Sequence, residues 1–425
     1  MSEPSPSSRH AAPSRTGVHS PFLKAGAIHG ASPRAFAPPW PAHATPGARC
    51  LETMSGPLQW RPVLPSASTV TAAGFSAEAP EAALDALFLP FESGGLRWPA
   101  DGRVLFLRAR DGQRLRGVAG RGWLCQQSFR PFAGALERGG LRVGEPGADE
   151  RFPLVLLLPP RQRDEARALY ARALRHAEAD GVVLACVPNA EGAKSAEADL
   201  ARLAGPVRSL SKHKCRAFWV ALASATVDRG LLDAWRALDA PRENAAGYFS
   251  RPGLFAWDRI DPASALLAEH LPDDLRGRVA DPGAGYGYLA AQVVARCPQV
   301  EAVDLYEAEA RALEPARLNL ARAVHAAGRA VEVDVRWHDV TAGLPRRYDA
   351  IACNPPFHQG RADLPELGRA FIAAMAAALV PRGRLYLVAN RHLPYEATLA
   401  ARFGEVRTLA LRDGFKLIAA GSVRA

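Results

Sequence analysis

The clearest chemical signal in the sequence is the tetrad Asn354-Pro355-Pro356-Phe357, which directly follows an apolar segment that predicts a buried strand, residues 348–353. The two prolines fix the loop and remove backbone donors, so the carbonyl oxygens there are available as acceptors. The amide oxygen of Asn354 and the carbonyl of Pro355 can therefore hold a planar amino group and help draw its lone pair out of conjugation. Phe357 offers a face on which a flat base can stack, worth about 1–3 kcal/mol per base.

A glycine-rich segment, Asp281-Pro-Gly283-Ala-Gly285-Tyr-Gly287, lies between a predicted strand and a predicted helix. Glycines let the backbone turn tightly and approach a ligand, and the N–H groups that begin a helix attract anionic atoms. By itself the pattern is equally typical of an ordinary turn. Its context favours a nucleotide-like cofactor, with Asp281 and the three glycines as candidate binding residues.

Two carboxylates after the following strands complete the predicted cofactor site. Asp304 ends the next predicted strand, where an acidic side chain accepts both hydroxyls of a ribose. A helix N-cap is the alternative for Asp304, and Glu307 is the reserve candidate. Asp339 ends the third strand and suits the amino group of an adenine, although a turn or cap aspartate explains it equally well.

Four further residues are candidate contacts to a substrate phosphate or base. Arg391, His392 and Tyr395 follow the fifth predicted strand, on the edge where ligands bind in parallel sheets, and Lys416 lies near the terminal hairpin. Surface exposure or packing explains each of them equally well.

The elements that position these residues alternate regularly between strand and helix. Predicted strands cover 278–281, 299–305, 331–337, 348–353, 384–388, 406–411 and 415–420, and predicted helices cover 288–295, 309–327, 367–379 and 395–401. This order predicts an α/β fold with an open, doubly wound, mostly parallel sheet and an antiparallel C-terminal hairpin.

The preceding part of the chain predicts a second copy of this architecture. Predicted strands cover 103–107, 152–158, 181–187 and 216–223, and predicted helices cover 81–89, 162–179 and 195–204. Where the glycine loop should follow the first strand, the sequence has Arg108-Ala-Arg-Asp-Gly112, and a counterpart of the Asn-Pro-Pro-Phe tetrad is missing. We therefore expect this copy to bind no cofactor.

Composition divides the chain and limits its function. Residues 1–75 are rich in Pro, Ser, Ala and Gly and predict a disordered extension, within which Met54 is an alternative start. We place the degenerate copy at 79–227, a linker at 228–246 and the catalytic domain at 247–425.

The formal charge of +10 favours a polyanionic partner. Six scattered cysteines favour a cytosolic protein with reduced thiols and no zinc site, and no apolar run reaches the ~18–20 residues of a membrane span.

These motifs resemble the class I methyltransferases, and specifically the ribosomal RNA small subunit methyltransferase C family, which modifies guanine N2 in 16S rRNA. The likeness covers about 247–420 and extends weakly to 152–222. The resemblance implies two tandem Rossmann-like folds whose N-terminal copy is degenerate. It also implies S-adenosylmethionine as cofactor, held by Asp281, Gly283, Gly285, Gly287, Asp304 and Asp339. The tetrad would hold the target guanine. Ribosomal RNA or the small ribosomal subunit would be the partner of a cytoplasmic monomer that uses no metal.

Other functions fit parts of the pattern. The same tetrad serves large-subunit guanine-N2, adenine-N6 and protein glutamine-N5 methyltransferases, because each modifies a planar nitrogen. A non-catalytic RNA-binding assembly factor could keep the fold alone, although the intact tetrad at Asn354 argues against it. A dinucleotide oxidoreductase is the weakest alternative, because it has no role for the paired prolines.

Overall fold

The computed structural model describes residues 78–356, 358–359, 362–363 and 365–424. All of them belong to one unit. The predicted disordered extension, the alternative start at Met54 and the aromatic residue of the tetrad, Phe357, lie outside the described residues.

The N-terminal half contains a six-stranded sheet in the order β2-β1-β3-β4-β6-β5. Its strands are β1 (Val104–Leu107), β2 (Trp123–Gln126), β3 (Phe152–Leu157), β4 (Ala177–Pro188), β5 (Arg208–Lys212) and β6 (Cys215–Ala221). Its helices are α1 (Glu78–Glu92), α2 (Gln113–Val118), α3 (Arg130–Arg138), α4 (Arg163–His176) and α5 (Ala193–Ala204). The first four strands in this order pair in parallel, and β6 runs antiparallel to both of its neighbours.

A connection leads from this half to the next. It consists of α6 (Arg229–Ala237), the short paired strands β7 (Arg242–Glu243) and β8 (Phe249–Ser250), and α7 (Pro262–His270). Asp261 caps α7, because its side chain accepts the backbone N–H of Ser264 at 2.8 Å, and Pro262 occupies the first helical position.

The C-terminal half contains a seven-stranded sheet in the order β11-β10-β9-β12-β15-β17-β16. Its strands are β9 (Arg276–Pro282), β10 (Gln299–Glu307), β11 (Glu332–Trp337), β12 (Tyr348–Cys353), β15 (Leu379–Asn390), β16 (Phe403–Arg412) and β17 (Phe415–Val423). The helices are α8 (Tyr288–Arg296), α9 (Leu313–Ala327), α10 (Pro365–Ala378) and α11 (Glu396–Arg402). A separate two-stranded pair, β13 (His358–Gln359) and β14 (Ala362–Asp363), follows β12.

The two halves share one topology. Matching β9, β10, β12 and β15 with β1, β2, β3 and β4 gives the same neighbours in both sheets, and each sheet ends in an antiparallel hairpin. Within the described residues the first sheet has no counterpart of the edge strand β11. The predicted tandem Rossmann-like fold is therefore confirmed.

Alternate residues of the second sheet enter two cores. Val279, Val303 and Ala350 pack on one face, whereas Ala280, Tyr306 and Ile351 pack on the other. Because helices cover both faces, ligands can approach only at the strand ends. The strand order reverses between β9 and β12, which is where open α/β sheets bind their ligands.

Candidate functional site

An open cleft lies at this reversal point. The cleft is lined by the glycine loop (Gly283, Ala284, Gly285, Tyr286), the start of α8 (Tyr288, Leu289), the start of α7 (Asp261, Ser264), Phe255, Ala256 and Asn354. The two predicted motifs thus share one cleft.

Asn354 lies just past the end of β12 and is oriented by α7. Its Nδ2 donates to Oδ2 of Asp261 at 2.9 Å and to the hydroxyl of Ser264 at 2.8 Å. Because both donor hydrogens are taken up by these two acceptors, the amide cannot flip without losing them. The amide oxygen is left as the acceptor of this side chain, as the predicted chemistry requires.

The rest of the tetrad is only partly described. Pro355 is buried and Pro356 is exposed, so the loop is packed on one side and open on the other. The thiol of Cys353, immediately before the tetrad, donates to the carbonyl oxygen of Pro282 at 3.0 Å. This bond joins the base of the tetrad to the base of the glycine loop.

The glycine loop is hydrogen-bonded to β10. The N–H groups of Gly283 and Ala284 donate to the carbonyl oxygen of Tyr306 at 2.7 and 3.2 Å. Gly285 has φ +54°, and a Cβ there would meet no atom within 4 Å, so its backbone borders open space in the cleft. A Cβ on Gly287 would come within 2.8 Å of Leu320, so this glycine serves helix packing rather than ligand contact.

Asp281 is a buried carboxylate beneath the loop. Its Oδ2 accepts the N–H of Ala290 in α8 at 3.1 Å, while Oδ1 has no hydrogen-bond partner in the described part of the chain. Burial raises the pKa of this carboxyl to about 7, the N–H bond opposes the rise, and the nearby charge of Glu307 adds to it. A buried oxygen without a donor is costly and is a natural place for a cationic ligand group.

The prediction that Asp304 binds a ribose is wrong. The strand β10 continues to Glu307, so Asp304 lies within the sheet, with no exposed surface. Its carboxylate accepts hydrogen bonds from Arg278 at 2.8 Å, from Arg346 at 3.0 Å and from the hydroxyl of Tyr348 at 2.9 Å. A carboxylate surrounded by these donors serves the fold.

Glu307, the reserve candidate, occupies the position expected of the ribose acceptor. It is the last residue of β10, and its two carboxylate oxygens accept the N–H groups of Gly285 at 2.7 Å and Glu309 at 2.8 Å. Burial raises the pKa of Glu307, against these backbone donors. A direct bond to the glycine loop links this carboxylate to the cleft.

In the structure Asp339 has the capping role that the sequence analysis gave as the alternative. It follows β11 and caps the single turn Val340–Ala342, and its Oδ1 accepts from the N–H of Thr341 at 3.0 Å and from its hydroxyl at 2.6 Å. Because both bonds fall on one oxygen, capping leaves the second oxygen for another donor. Its predicted contact with an adenine stays a prediction.

Two of the four predicted substrate contacts are wrong. Lys416 is 4% exposed, and its ammonium donates to the carbonyl of Leu393 and to the carboxylate of Glu396, both at 2.5 Å. Tyr395 is fully buried, and a Cβ on Gly368 would lie 1.8 Å from its hydroxyl oxygen, so the ring packs against α10. Both side chains are buried, so they stabilise the fold rather than contact a substrate.

The other two predicted substrate contacts are on the surface. Arg391 and His392 are exposed in the turn after β15, and the N–H of Arg391 donates to the carbonyl of Gly414 at 2.8 Å. Their predicted contact with substrate stays a prediction.

Sequence reasoning gave no role to Phe255, which lies at the mouth of the cleft. Its side chain is 67% exposed, although large apolar side chains are usually buried. The turn that carries it is well ordered, because the N–H of Trp257 donates to the carbonyl of Leu254 and the hydroxyl of Tyr286 donates to the carbonyl of Arg259. Its exposure depends on the tertiary fold and could not be read from the sequence.

In the N-terminal half, charged side chains occupy the place of the glycine loop. Arg108 follows β1 with φ +53°, and its guanidinium donates to Glu165 at 2.6 Å. The guanidinium of Arg110 lies 3.3 Å from the ring centroid of Phe132, and burial, followed by repulsion from Arg108, lowers the pKa of Arg110 to about 9. The cofactor-free character of this half stays a prediction.

Two kinds of feature, a membrane-spanning helix and a metal-binding group, are missing from the described residues. Along the described ranges, no helix is long and apolar enough to cross a membrane. Within the same residues, no three side chains of His, Cys, Asp or Glu form a group that could hold a metal ion.

Comparisons with known proteins agree with this geometry. Residues 246–419 match the methyltransferase small domain. Ribosomal RNA small subunit methyltransferase C of Hahella chejuensis is 32% identical over 275 residues, which is 64% of this chain and 78% of the relative. The protein of the same name from Shewanella amazonensis is 30% identical over 276 residues, again 64% of this chain and 78% of the relative.

A solved structure supports the fold over a longer range. A 16S rRNA N2 methyltransferase of T. thermophilus, in complex with AdoMet and guanosine, superposes with a TM-score of 0.64 at 22% identity. The match covers 82% of this chain and 93% of that one. With relatives of at least 30% identity matched over more than two thirds of their length, the chain belongs to the ribosomal RNA small subunit methyltransferase C family.

Proposed function

We propose that this protein transfers a methyl group from S-adenosylmethionine to the exocyclic N2 of a guanine in 16S ribosomal RNA. The observation that carries the proposal is the fixed amide of Asn354, which lines the same cleft as the glycine loop. The family named above supplies the substrate class. The T. thermophilus relative, an N2 methyltransferase solved in complex with guanosine, supplies the guanine.

The cleft residues fit the cofactor. The ammonium of its methionine part would pair with Oδ1 of Asp281, the buried oxygen that lacks a donor. The ribose hydroxyls would donate to Glu307, and the adenine amino group would donate to Asp339. Gly283 and Gly285 would let the backbone approach, and Gly287 would keep the start of α8 in place.

The chemistry requires orientation more than proton abstraction. The bound sulfonium supplies an electrophilic methyl group. Oδ1 of Asn354 and the carbonyl of Pro355 would accept the two hydrogens of the guanine amino group, which points its lone pair at the methyl carbon. As the new N–C bond forms, the sulfur–methyl bond would break and leave a neutral thioether, and the nitrogen would then lose a proton to water. Because the nitrogen would become acidic only at that point, it needs no strong base beforehand. Holding the reactants in this geometry lowers the barrier by proximity.

The target base must leave its stack to reach this cleft, which costs a few kcal/mol. Phe255, exposed at the cleft mouth, would offer one face for stacking, and Phe357 would offer another. Arg391 and His392 would approach RNA phosphates, and the formal charge of +10 favours the encounter.

The remaining assignments follow from the proposed reaction. Residues 247–425 would form the catalytic domain, 228–246 the linker and 79–227 the degenerate copy. The five described cysteines are free and buried, which is typical of proteins from reducing compartments and supports a cytoplasmic enzyme. The protein would act as a monomer on ribosomal RNA or the small subunit.

Nucleoside mass spectrometry of ribosomal RNA from a deletion strain tests the proposal. We expect one N2-methylguanine to disappear from 16S rRNA, to return with the wild-type gene and to stay absent with Asn354→Ala. Calorimetry should show that Asn354→Ala still binds S-adenosylmethionine, because Asp281 and Glu307 are untouched. Loss of an adenine-N6 or large-subunit mark, or of protein glutamine-N5 methylation, would identify an alternative substrate. Unchanged 16S rRNA in the deletion strain would refute the proposal.

A further inference from the structure

The N-terminal half contacts the loop that carries the proposed ribose acceptor. This loop, residues 307–311, is called here the Glu307 loop. Phe129, at the start of α3 in the N-terminal half, forms an isolated antiparallel bridge with Glu309. The N–H of Arg130 donates to the carbonyl of Ala308 at 2.8 Å, and the N–H of Ala310 donates to the carbonyl of Ser128 at 2.9 Å.

Side chains reinforce the bridge at its centre. The indole N–H of Trp337 donates to the same carbonyl of Ala308 at 2.7 Å. The guanidinium of Arg130 lies 5.0 Å from the ring centroid of Trp337. Ala308 is therefore held from the N-terminal half and from β11 at once.

The far end of the Glu307 loop is held by ion pairs. Arg311 contacts Glu165 of α4 at 2.9 Å and Asp239 of the connection at 2.9 Å. It also donates to the carbonyl of Pro252 at 2.8 Å. The loop is thus attached to the N-terminal half at both its middle and its end.

At its near end, the Glu307 loop reaches the cleft. Glu307 accepts the N–H of Gly285 and the N–H of Glu309, the residue that forms the bridge. The peptide chain of the loop therefore connects the hydrogen bonds that Ser128 and Arg130 make with Ala310 and Ala308 to those that Glu307 makes with Glu309 and the glycine loop. A loop that is ordered in advance loses less freedom when a ligand binds.

We propose that the N-terminal half acts as a positioning element for S-adenosylmethionine, holding Glu307 in its binding geometry through the bridge between Phe129 and Glu309. The inference rests on the proposed function, in which Glu307 binds the cofactor ribose. Residues 128–130 contribute no atom to the cleft lining, so they act through the Glu307 loop.

A pair of variants at Arg130 isolates the bridge. Arg130 is the first residue of α3, a position where proline suits a helix. Arg130→Pro removes the N–H that donates to Ala308, and Arg130→Ala keeps that N–H but removes the same guanidinium. The comparison of the two variants therefore reports the backbone bond alone.

In calorimetry on the full chain, we expect the Kd for S-adenosylmethionine to be about three- to tenfold higher in Arg130→Pro than in Arg130→Ala, as for one hydrogen bond. The KM for the cofactor should rise in parallel, with kcat at saturating cofactor and the KM for ribosomal RNA unchanged. A purely structural role would lower the melting temperature and the active fraction and leave this Kd unchanged.

Trp337→Phe provides an independent test, because it removes the indole donor to Ala308 and keeps an aromatic ring. It should also raise the Kd, and it decides the matter if Arg130→Pro fails to fold. Equal cofactor affinity in wild type, Arg130→Ala and the folded bridge variants would overturn the inference and leave the proposed function intact. Absence of binding by the wild type would instead refute the proposed function, and the inference with it.

Discussion

The amide of Asn354 is held in one orientation by two acceptors on another element. Asp261 serves both as the cap of α7 and as an acceptor for Asn354, and Ser264 supplies the second acceptor. A side chain that is oriented in this way loses little freedom when the substrate amine arrives. In the proposed reaction the start of α7 would therefore belong to the catalytic geometry, although its sequence indicates only a helix cap.

Two of the acidic residues of β10, Glu307 and Asp304, should separate binding from stability. Glu307→Gln removes the charge that we assign to the ribose hydroxyls, so the Kd for S-adenosylmethionine should rise about 10- to 100-fold, which calorimetry measures. Asp304→Asn leaves Arg278 and Arg346 without their shared carboxylate, and these guanidiniums are partly exposed. We expect it to cost about 2–3 kcal/mol of unfolding free energy and to leave the Kd unchanged. A raised Kd in Asp304→Asn, together with an unchanged Kd in Glu307→Gln, would instead identify Asp304 as the ribose acceptor.

Cofactor affinity should depend on pH through Asp281. Burial raises the pKa of this carboxyl to about 7, so in the free protein it is mostly neutral below that pH. A cationic ammonium favours the ionised form, so binding expels a proton and weakens as the pH falls. Below pH 7 the Kd should rise about tenfold per pH unit and level off above it.

Calorimetry between pH 5.5 and about 8.5 measures this dependence. Glu307, whose pKa burial also raises, contributes in the same direction. Asp281→Asn keeps an acceptor for the N–H of Ala290 but cannot ionise, so its affinity should be weaker and flatter with pH. An unchanged profile in this variant would remove Asp281 from the ammonium site.

The sequence correctly predicted that Asn354 and the glycine loop lie at the same edge of the sheet, whereas its prediction for Asp304 was wrong. Asp304 interrupts an apolar run, which makes it look like the end of a strand, yet β10 continues through Tyr306 to Glu307. The partners that stabilise it, Arg278 and Arg346, are 26 and 42 residues away in the chain. Such partners become visible only after the strands are assembled into a sheet.

The position of α8 depends on one glycine. Gly287 has φ +84°, and a Cβ there would lie 2.8 Å from Leu320 and 3.2 Å from Leu305. Gly287→Ala should therefore cost about 2–4 kcal/mol, from backbone strain and overpacking together. Urea unfolding measures the loss.

Gly328→Ala is the matched control, because Gly328 ends α9 with φ +63° and a Cβ there would meet no atom within 4 Å. It should cost only the backbone strain, about 1–2 kcal/mol. Equal losses in the two variants would show that contact with Leu320 does not determine the position of α8.

Apolar periodicity in the sequence predicted most of the long helices and strands but missed the short ones. The strand β12 begins and ends where predicted, whereas the predicted helix over 162–179 ends at His176, because β4 already begins at Ala177. Among the strands and α-helices of the N-terminal half, four were missed: α2, β2, α3 and β5. The strand β5 is a polar sheet edge, and β2 has four residues, so neither has the alternating or extended apolar pattern that identifies a strand.

At the scale of the whole molecule, a buried ion-pair network joins the two halves. Glu165 of the N-terminal half lies between Arg108 at 2.6 Å and Arg311 at 2.9 Å, and its side chain is 10% exposed. Glu165→Gln should cost about 2–3 kcal/mol of unfolding free energy, because two charge-assisted contacts are lost in a shielded site. Urea unfolding checks this value.

An exposed pair serves as the control for this prediction. Asp274 and Arg384 are 3.0 Å apart, and both are exposed, so Asp274→Asn should cost less than about 1 kcal/mol. A loss in Glu165→Gln no larger than that in Asp274→Asn would show that the network adds little to the joint stability of the halves.

The residue after Asn354 affects how long the acceptor amide survives. Asparagines in proteins usually deamidate when the nitrogen of the next peptide attacks the side-chain carbonyl and closes a five-membered ring. Pro355 has no N–H and cannot close that ring. An aspartate at this position would bring its carboxylate within hydrogen-bond distance of the carboxylate of Asp261, and the two negative charges would repel each other. The proline that shapes the loop therefore also protects the enzyme from slow chemical ageing at its most sensitive side chain.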